Sequence, residues 1–256
     1  FRPPASTTGR RGKNMAKSIR YWLLATQLVK EQRTTQTEFV FTPIGEIIFE
    51  KDLYTKNLST LGLLHYLLVT EKNVATTWYW FFNIFNERVF TKEMLFEHLQ
   101  KWVSINIEKP VSDNSLKKDI DCLLALYTEK NYANQTPEDV IKSPFEALGL
   151  LKKNEGNETV YMKQSASFDV LPDILYVTLL KYCEKHAISE INLNELVNSE
   201  ELWGKVFNLN RDQIIDHIDN IKGRYPIVFT QTNNLDVLRV EHKNWVQSVN
   251  EIEVFS

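Results

Sequence analysis

One order of segments recurs three times in this sequence: a helical stretch and then two short strands joined by a turn. The copies fall at residues 13–41, 144–163 and 212–240. A helix followed directly by a hairpin is typical of a winged helix-turn-helix unit. Glycine is scarce, with 8 residues among 256, which favours helices over a β-sandwich with many turns. We therefore expect a mainly α fold with small β-hairpins (α+β), in which winged-helix-like units lie at both ends of a helical middle.

The middle of the sequence has the strongest signals for a buried core. Residues 58–69 (LSTLGLLHYLLV) are apolar on nearly every side, so we predict a helix that is buried all round. Residues 75–83 (ATTWYWFFN) form a dense aromatic block, and composition favours a core helix there over a surface for base stacking. Two further helices are predicted at 91–103 and 116–127, the second capped by Ser115. The predicted units are a winged-helix unit at 1–57, a helical middle at 58–130 and a winged-helix-like unit at 131–256.

A helix predicted from about Lys13 to Gln27 carries its positive charges on one side. Its apolar residues recur at spacings of four, three and four, which places them together on the opposite face. No acidic residue interrupts the basic side. Such a helix suits packing onto a small domain while its other face meets a polyanion. Arg10, Lys13, Lys17 and Arg20 run three, four and three apart, and from Lys13 on they form the basic side; the apolar side holds Met15, Ile19, Trp22 and Thr26.

The charge of the chain is unevenly distributed. The first 30 residues hold seven Lys and Arg and no Asp or Glu, whereas the whole chain has a formal charge of −3, so the rest carries −10. A basic amino-terminal region on an otherwise acidic chain indicates one localised surface that binds anions. The helix of the third copy has the opposite sign, because it carries Asp212, Asp216 and Asp219, which phosphates would repel. We interpret that copy as structural or protein-binding.

The segment after the basic helix has the form of a wing. Residues 28–31 and 37–41 are predicted strands, and Thr42-Pro43 is a predicted helix start, with threonine as the cap. This order places the basic helix where a winged helix-turn-helix unit has its DNA-recognition helix. The alternative is a basic surface helix that only lies beside a hairpin. The residues predicted to bind DNA are Arg10, Arg11, Lys13, Asn14, Lys17 and Arg20.

Several common catalytic motifs are absent from the sequence. It contains no Walker loop, dinucleotide fingerprint, HExxH or nucleophile elbow. One charged group, at the start of helix 116–127, has two interpretations. It is either ordinary helix-end charge, since Asp is favoured near an amino end, or the metal or phosphate cluster of a nuclease-like site. Spacing alone favours the first. The group consists of Lys117, Lys118, Asp119 and Asp121.

The cysteines and the lengths of the apolar runs indicate in which cellular compartment the protein is located. Cys122 and Cys183 are the only cysteines and form no CxxC pair, which indicates a reducing compartment without a disulfide framework. No apolar run has membrane length, so we expect no membrane contact and a cytoplasmic location. The start at Phe1 indicates a trimmed chain or a fragment rather than a signal peptide.

Three long motifs resemble one known family. They are residues 12–22 (GKNMAKSIRYW), residues 75–83 (ATTWYWFFN) and residues 115–122 (SLKKDIDC), and they occur in family order. The family is the SspB-like family of bacterial DNA phosphorothioation and antiphage defence proteins, formerly a domain family of unknown function. The resemblance implies DNA binding and strand nicking, alongside a cysteine desulfurase, an ATPase and a sulfur-transfer enzyme.

The resemblance also implies a site. Among its motifs, 115–122 is the only one with clustered carboxylates and lysines, so it implies Lys117, Lys118, Asp119 and Asp121 as catalytic residues. Asp119 and Asp121 are then the expected ligands of Mg²⁺. The expected function is that of a metal-dependent DNA nicking endonuclease in phosphorothioate modification and antiphage defence. The alternative is a non-catalytic DNA-binding adaptor or an assembly scaffold that places the sulfur-transfer enzyme on DNA.

Overall fold

A computed structural model describes residues 10–33, 37–129, 143–154, 156–157, 159–166, 171–232, 236–241 and 244–252. The side chains of Arg10, Arg11 and Leu171 lie outside this description. The helices are α1 (Arg10–Ala25), α2 (Pro43–Lys51), α3 (Leu58–Val69), α4 (Thr76–Asn83), α5 (Lys92–Asn106), α6 (Asp113–Tyr127), α7 (Leu171–His186), α8 (Leu193–Asn198), α9 (Trp203–Val206), α10 (Arg211–Ile221) and α11 (Trp245–Glu251). The strands are β1 (Val29–Arg33), β2 (Thr37–Phe41), β3 (Val89–Thr91), β4 (Leu151–Lys153), β5 (Val160–Lys163), β6 (Glu190–Asn192), β7 (Ile227–Gln231) and β8 (Asp236–Val240). The expected α+β class with small antiparallel sheets is confirmed.

Helix α3 forms the centre of the core. Every residue from Ser59 to Val69 is buried, as the apolar run predicts. The helix packs against α4, α7 and a 3₁₀ helix at Pro144–Leu148. The aromatic block in α4 is buried too, which confirms the interpretation as a core helix.

Two three-stranded sheets are built on the same plan. The middle module (76–163) and the carboxyl-terminal module (171–240) each run helix, strand, helices, hairpin. In both, the first strand pairs with the third rather than the second, which gives the orders β3-β5-β4 and β6-β8-β7. The first of these sheets joins residues on both sides of the predicted unit boundary at 130. The winged-helix interpretation and the three units stay predictions.

The amino-terminal region has the predicted order of helix, hairpin and helix. Strands β1 and β2 pair antiparallel from Val29↔Phe41 to Arg33↔Thr37, and the turn between them at 34–36 lies outside the described residues. The Thr42 hydroxyl accepts a hydrogen bond from the Gly45 amide, so threonine caps α2 as predicted. Within the described residues this sheet has two strands, and a winged-helix unit here is not confirmed.

Two contacts fix this region to the core. The Gln27 side chain, at a residue with φ of 56°, donates to the Leu67 carbonyl of α3 over 2.8 Å. Helix α2 lies so close to the segment that follows α1 that a Cβ at Gly45 would come within 2.0 Å of the Leu28 carbonyl oxygen. The end of α1 is therefore held in place, which matters for the site described below.

The structure corrects three local predictions. Helix α6 begins one turn earlier than expected, because Ser112 rather than Ser115 caps it by accepting from the Ser115 amide. Strands β3 and β6 are short and carry no alternating pattern, so the sequence did not predict them. The first turns of α1 are not packed: Met15 is 67% exposed and Ile19 is 54% exposed, although both lie on the predicted apolar face. The spacing of residues determines which helix face a side chain lies on, but the side chain is buried only where another element packs against that face.

A buried histidine joins two parts of the core. His65, on α3, is fully buried, and its Nε2 donates to the Val206 carbonyl over 2.8 Å. Since a carbonyl only accepts, Nδ1 is the unprotonated nitrogen and accepts from the Tyr127 hydroxyl, also at 2.8 Å. Burial lowers the pKa of His65 to about 4, because the charged ring would lose its hydration.

We expect acid to destabilise the protein through His65. Its folded pKa of about 4 lies below the ordinary 6.5, so between these values the unfolded chain takes up a proton that the folded chain excludes. Stability should therefore fall as the pH drops from 6.5 to 4, by about 3 kcal/mol at 1.36 kcal/mol per pKa unit. Urea unfolding at pH 7 and pH 4 measures this, and His65→Gln should lose that part of the pH dependence. The exposed His98→Gln is the control, and an equal pH dependence in parent and His65→Gln would contradict the assignment.

Candidate nucleic-acid interface

The basic face of α1 is exposed to solvent. Lys13, Asn14, Lys17 and Arg20 are all exposed, and the side chains of Arg10 and Arg11 lie outside the described residues. Within the part of the chain that the structure describes, no carboxylate pairs with Lys13 or Lys17. Their charges therefore face water and are available to an anion.

Arg20 has a different environment from the two lysines. Its guanidinium donates to the Glu31 carboxylate over 2.5 Å and lies 4.5 Å from the centre of the Phe39 ring. These contacts join α1 to both strands of the hairpin. The Arg20 side chain is still 53% exposed, so the ion pair is solvated and weak. Arg20 positions the hairpin and contributes less free charge than Lys13 or Lys17.

A cavity of about 450 Å³ lies beside this face, where the three motifs of the resemblance meet. Helix α1 contributes one wall, the start of α4 a second and α6 a third. The lining residues are Lys17, Ser18, Tyr21 and Trp22 from the first motif, Thr76, Thr77 and Trp78 from the second, Asp119 and Cys122 from the third, and Val74.

Three aromatic rings form the inner wall of the cavity. Trp22 meets Trp78 edge to face at 5.4 Å between ring centres, and Tyr21 lies 5.3 Å from Trp22 and 6.1 Å from Trp78. Within the described residues, the Trp78 Nε1–H is buried and has no hydrogen-bond partner. Burial, followed by the nearby Asp119 charge, raises the pKa of Tyr21. Its hydroxyl therefore stays protonated at neutral pH.

Asp119 is the acidic group of the cavity. The Thr77 hydroxyl donates to its Oδ2 over 3.3 Å, and burial raises the pKa of the Asp119 carboxyl. Burial and the charge of Asp119 raise the pKa of the Cys122 thiol as well, so that cysteine is a poor nucleophile. A half-buried carboxyl in a cavity that a lysine also lines is suited to proton transfer next to a bound anion.

The other residues of the predicted charged group lie elsewhere. Asp121 is exposed and accepts from Lys92 Nζ over 2.7 Å, an ion pair that raises the pKa of Lys92. Lys117 Nζ lies 4.8 Å from the centre of the Phe96 ring, and Lys118 is exposed. Residues two apart on a helix point to different sides. Of the predicted catalytic residues, the structure brings Asp119 to the cavity, together with Lys17.

Apart from Lys17 and Asp119, the cavity residues were not predicted as site residues, although nearly all of them belong to the three motifs of the resemblance. Tyr21, Trp22, Thr77 and Trp78 all belong to the stretches that resemble the family. Membership of those motifs was the one feature of the sequence that could have pointed to them. Nothing in their spacing indicates that α1, α4 and α6 meet.

The donor groups do not fit a magnesium site that uses both aspartates. Asp119 and Asp121 have different surroundings, and the described residues contain no group of three His, Cys, Asp or Glu that could hold a metal ion. Mg²⁺ prefers an octahedral set of oxygens and keeps several waters. Asp119 could supply one such oxygen, and no second carboxylate joins it among the described residues that line the cavity.

No helix in the described part of the chain combines the length and apolarity that crossing a membrane requires. No curated protein matches the chain significantly. Two solved structures have the same fold, described as "Magnesium ion-bound SspB crystal structure" and "SspB crystal structure". The first has a TM-score of 0.81 at 21% identity, covering 93% of this chain and 74% of that chain. The second has a TM-score of 0.80 at 22% identity, with the same coverage.

The structural likeness agrees with the sequence motifs and, together with the matching family model, is consistent with the expected SspB-like family. At this identity it establishes the fold. The model of one family, described as "Protein of unknown function (DUF4007)", matches residues 10–253, so the chain belongs to the DUF4007 family.

Proposed function

We propose that this chain binds DNA through α1 and nicks it, as part of bacterial DNA phosphorothioate modification and antiphage defence. The observation that carries the proposal is the cavity in which all three motifs meet, beside the free lysines of α1. The shared fold with SspB supports the same assignment.

The contact with DNA is electrostatic in origin. Lys13 and Lys17 are separated by one helical turn, and an exposed row of this kind follows a phosphate backbone. Phosphate contacts position a protein without reading sequence, so α1 supplies affinity rather than specificity. The hairpin joined to α1 by Arg20 lies next to the same surface and can contact the neighbouring backbone.

The cavity supplies the chemistry of the proposal. In nicking, a water oxygen attacks phosphorus, the bond from phosphorus to one deoxyribose oxygen breaks, and the water gives up a proton. Asp119 is the candidate to accept that proton, and the Lys17 ammonium offsets the negative charge that develops on the phosphate. The departing oxygen takes a proton from solvent.

The proposed partners follow from the same assignment. They are DNA, the sulfur-transfer enzyme of the modification system and its ATPase, and the proposed compartment is the cytoplasm. Mg²⁺ is the cation to include in assays, because one of the two similar structures is described as binding it.

A non-catalytic adaptor is the second candidate function. The separation of Asp119 from Asp121 favours it, because metal-dependent nucleases usually bring several carboxylates to one metal. In this case the chain would hold the sulfur-transfer enzyme on DNA, and the cavity would bind without cutting.

A plasmid relaxation assay distinguishes the two candidates. Supercoiled plasmid is incubated with the protein and Mg²⁺, and with the protein and a chelator, and the topological forms are separated on a gel. A nickase should give open circles with Mg²⁺. If the plasmid stays supercoiled while a gel shift detects binding, the adaptor is supported, and if neither occurs the DNA proposal fails.

A further inference from the structure

A second cavity, of about 280 Å³, lies between the middle and carboxyl-terminal modules. Its walls come from the end of α4, from β5 and from the segment around α9 and the start of α10. Four cationic side chains line it, and among the described residues no Asp or Glu does. The four are Arg88, Lys163, Lys205 and Arg211.

Lys163 lies deepest in this basic cavity. Its Nζ donates to the Phe81 carbonyl over 2.7 Å and to the Phe85 carbonyl over 2.5 Å, both near the end of α4. It also lies 4.4 Å from the centre of the Phe81 ring. Burial, and then the charges of Lys205 and Arg88, lower the pKa of Lys163 to about 7. The surroundings therefore lack a negative charge that would stabilise this ammonium group.

The other three cations are only partly compensated. Lys205 donates to the Asn86 side-chain oxygen over 2.5 Å, a neutral partner; burial lowers the pKa of Lys205, and the charge of the nearby Glu200 acts against this. Arg211 pairs with Asp236 over 2.5 Å at an exposed position, which offsets one of the four charges. The described residues give the Arg88 side chain no carboxylate partner, and Arg88 is exposed. The cavity thus keeps an excess of positive charge, although Lys163, with a pKa of about 7, carries only part of its charge at neutral pH.

The start of α10 adds to this excess. Asn210 and Arg211, which line the cavity, are the cap and first residue of an eleven-residue helix. The amino end of a helix carries a partial positive charge, and here the Asn210 side chain caps it by accepting from the Gln213 amide. The acidic side chains of α10 do not line the cavity.

We propose that this basic cavity binds a phosphate group. Bound phosphates are usually surrounded by arginine and lysine side chains together with the amino end of a helix. The volume is slightly below the range of pockets for drug-sized ligands, which suits a phosphate or pyrophosphate group rather than a large molecule. The group can belong to the DNA backbone or to a free nucleotide or phosphate. This site does not depend on α1 or on nicking.

Calorimetric titration of the full chain at low salt tests the site, with inorganic phosphate and pyrophosphate as probes. We expect saturable binding of pyrophosphate at one site. Arg88→Ala with Lys205→Ala should weaken it about 100-fold, because each lost charged hydrogen bond costs about 1.5–3 kcal/mol and about 1.4 kcal/mol is tenfold. The matched control is Lys101→Ala with Lys109→Ala, two exposed lysines outside the cavity, which should bind as the parent does.

A labelled DNA duplex in the same buffer identifies the source of the phosphate. If the Arg88/Lys205 variant loses duplex affinity as well, the group belongs to DNA. If it binds the duplex normally but not pyrophosphate, the group is a free nucleotide or phosphate. Circular dichroism checks the fold, and Arg88→Ala alone, which disturbs no described side-chain partner, replaces the double variant if that one unfolds. The proposal is wrong if the parent binds neither probe and the variant binds the duplex as the parent does.

Discussion

Replacing Lys13 and Lys17 with glutamate should weaken DNA binding about 100-fold at low salt. Both side chains are exposed on one face of α1 and have no carboxylate partner in the described chain, so each can contact a phosphate. The loss of each hydrogen bond to a charged group costs about 1.5–3 kcal/mol of binding free energy, and about 1.4 kcal/mol corresponds to a tenfold change in affinity. The new carboxylates would also repel the backbone.

A gel shift repeated over a series of salt concentrations measures this effect. Loss of two phosphate contacts should reduce the slope of log affinity against log salt by about two. Lys101→Glu with Lys109→Glu makes the same change in net charge away from α1 and should bind nearly as the parent does. Equal losses in both variants would mean that net charge, and not the face of α1, determines binding. Arg20→Ala should have a smaller effect on the slope, because Glu31 already shares its charge.

Asp119→Asn should reduce nicking by at least about 100-fold, which is the lower end of the usual contribution of a general base. Asparagine keeps the shape of the side chain and can still accept from the Thr77 hydroxyl, but it cannot take a proton. DNA affinity should stay close to that of the parent, since Asp119 opposes rather than attracts phosphate. The measurement is the rate of open-circle formation from supercoiled plasmid, together with a gel shift.

The controls for this prediction lie on the same helix. Asp113→Asn changes an exposed aspartate at the start of α6, bonded to Gln100, and should nick at the parent rate. Asp121→Asn tests whether the two predicted metal ligands act together. If it loses as much activity as Asp119→Asn, the two carboxylates work at one site despite their separation, and the role assigned to the cavity is wrong.

Much of the fold could be predicted from the sequence, because many elements carry local signals. The Thr42-Pro43 pair marks the start of α2, and the apolar run gives α3 its bounds. Strands β3 and β6 could not be predicted in this way. Each has three residues, and each forms only because a strand far along the chain, β5 or β8, pairs with it. Their existence is a property of the tertiary structure.

The candidate site could be predicted only in part. The basic face of α1 follows from its spacing, and the structure confirms that Lys13 and Lys17 are exposed. That Asp119 and Lys17 line one cavity follows from the approach of α1 to α4 and α6, which no local pattern encodes. The different surroundings of Asp119 and Asp121 could have been anticipated, because two residues along a helix turn the chain by about 200° at 3.6 residues per turn.

The two hydrogen bonds of His65 have a mechanical consequence. They tie α3 to α6 through Tyr127 and to α9 through Val206, so one buried side chain spans the middle and carboxyl-terminal modules. Rotation of one module against the other would break at least one of these bonds inside the core, where water cannot replace it. The two bonds therefore oppose a change in the separation of the two cavities. A ligand long enough to reach both would have to adapt its own curvature to that distance, because hinging of the protein would cost a buried hydrogen bond.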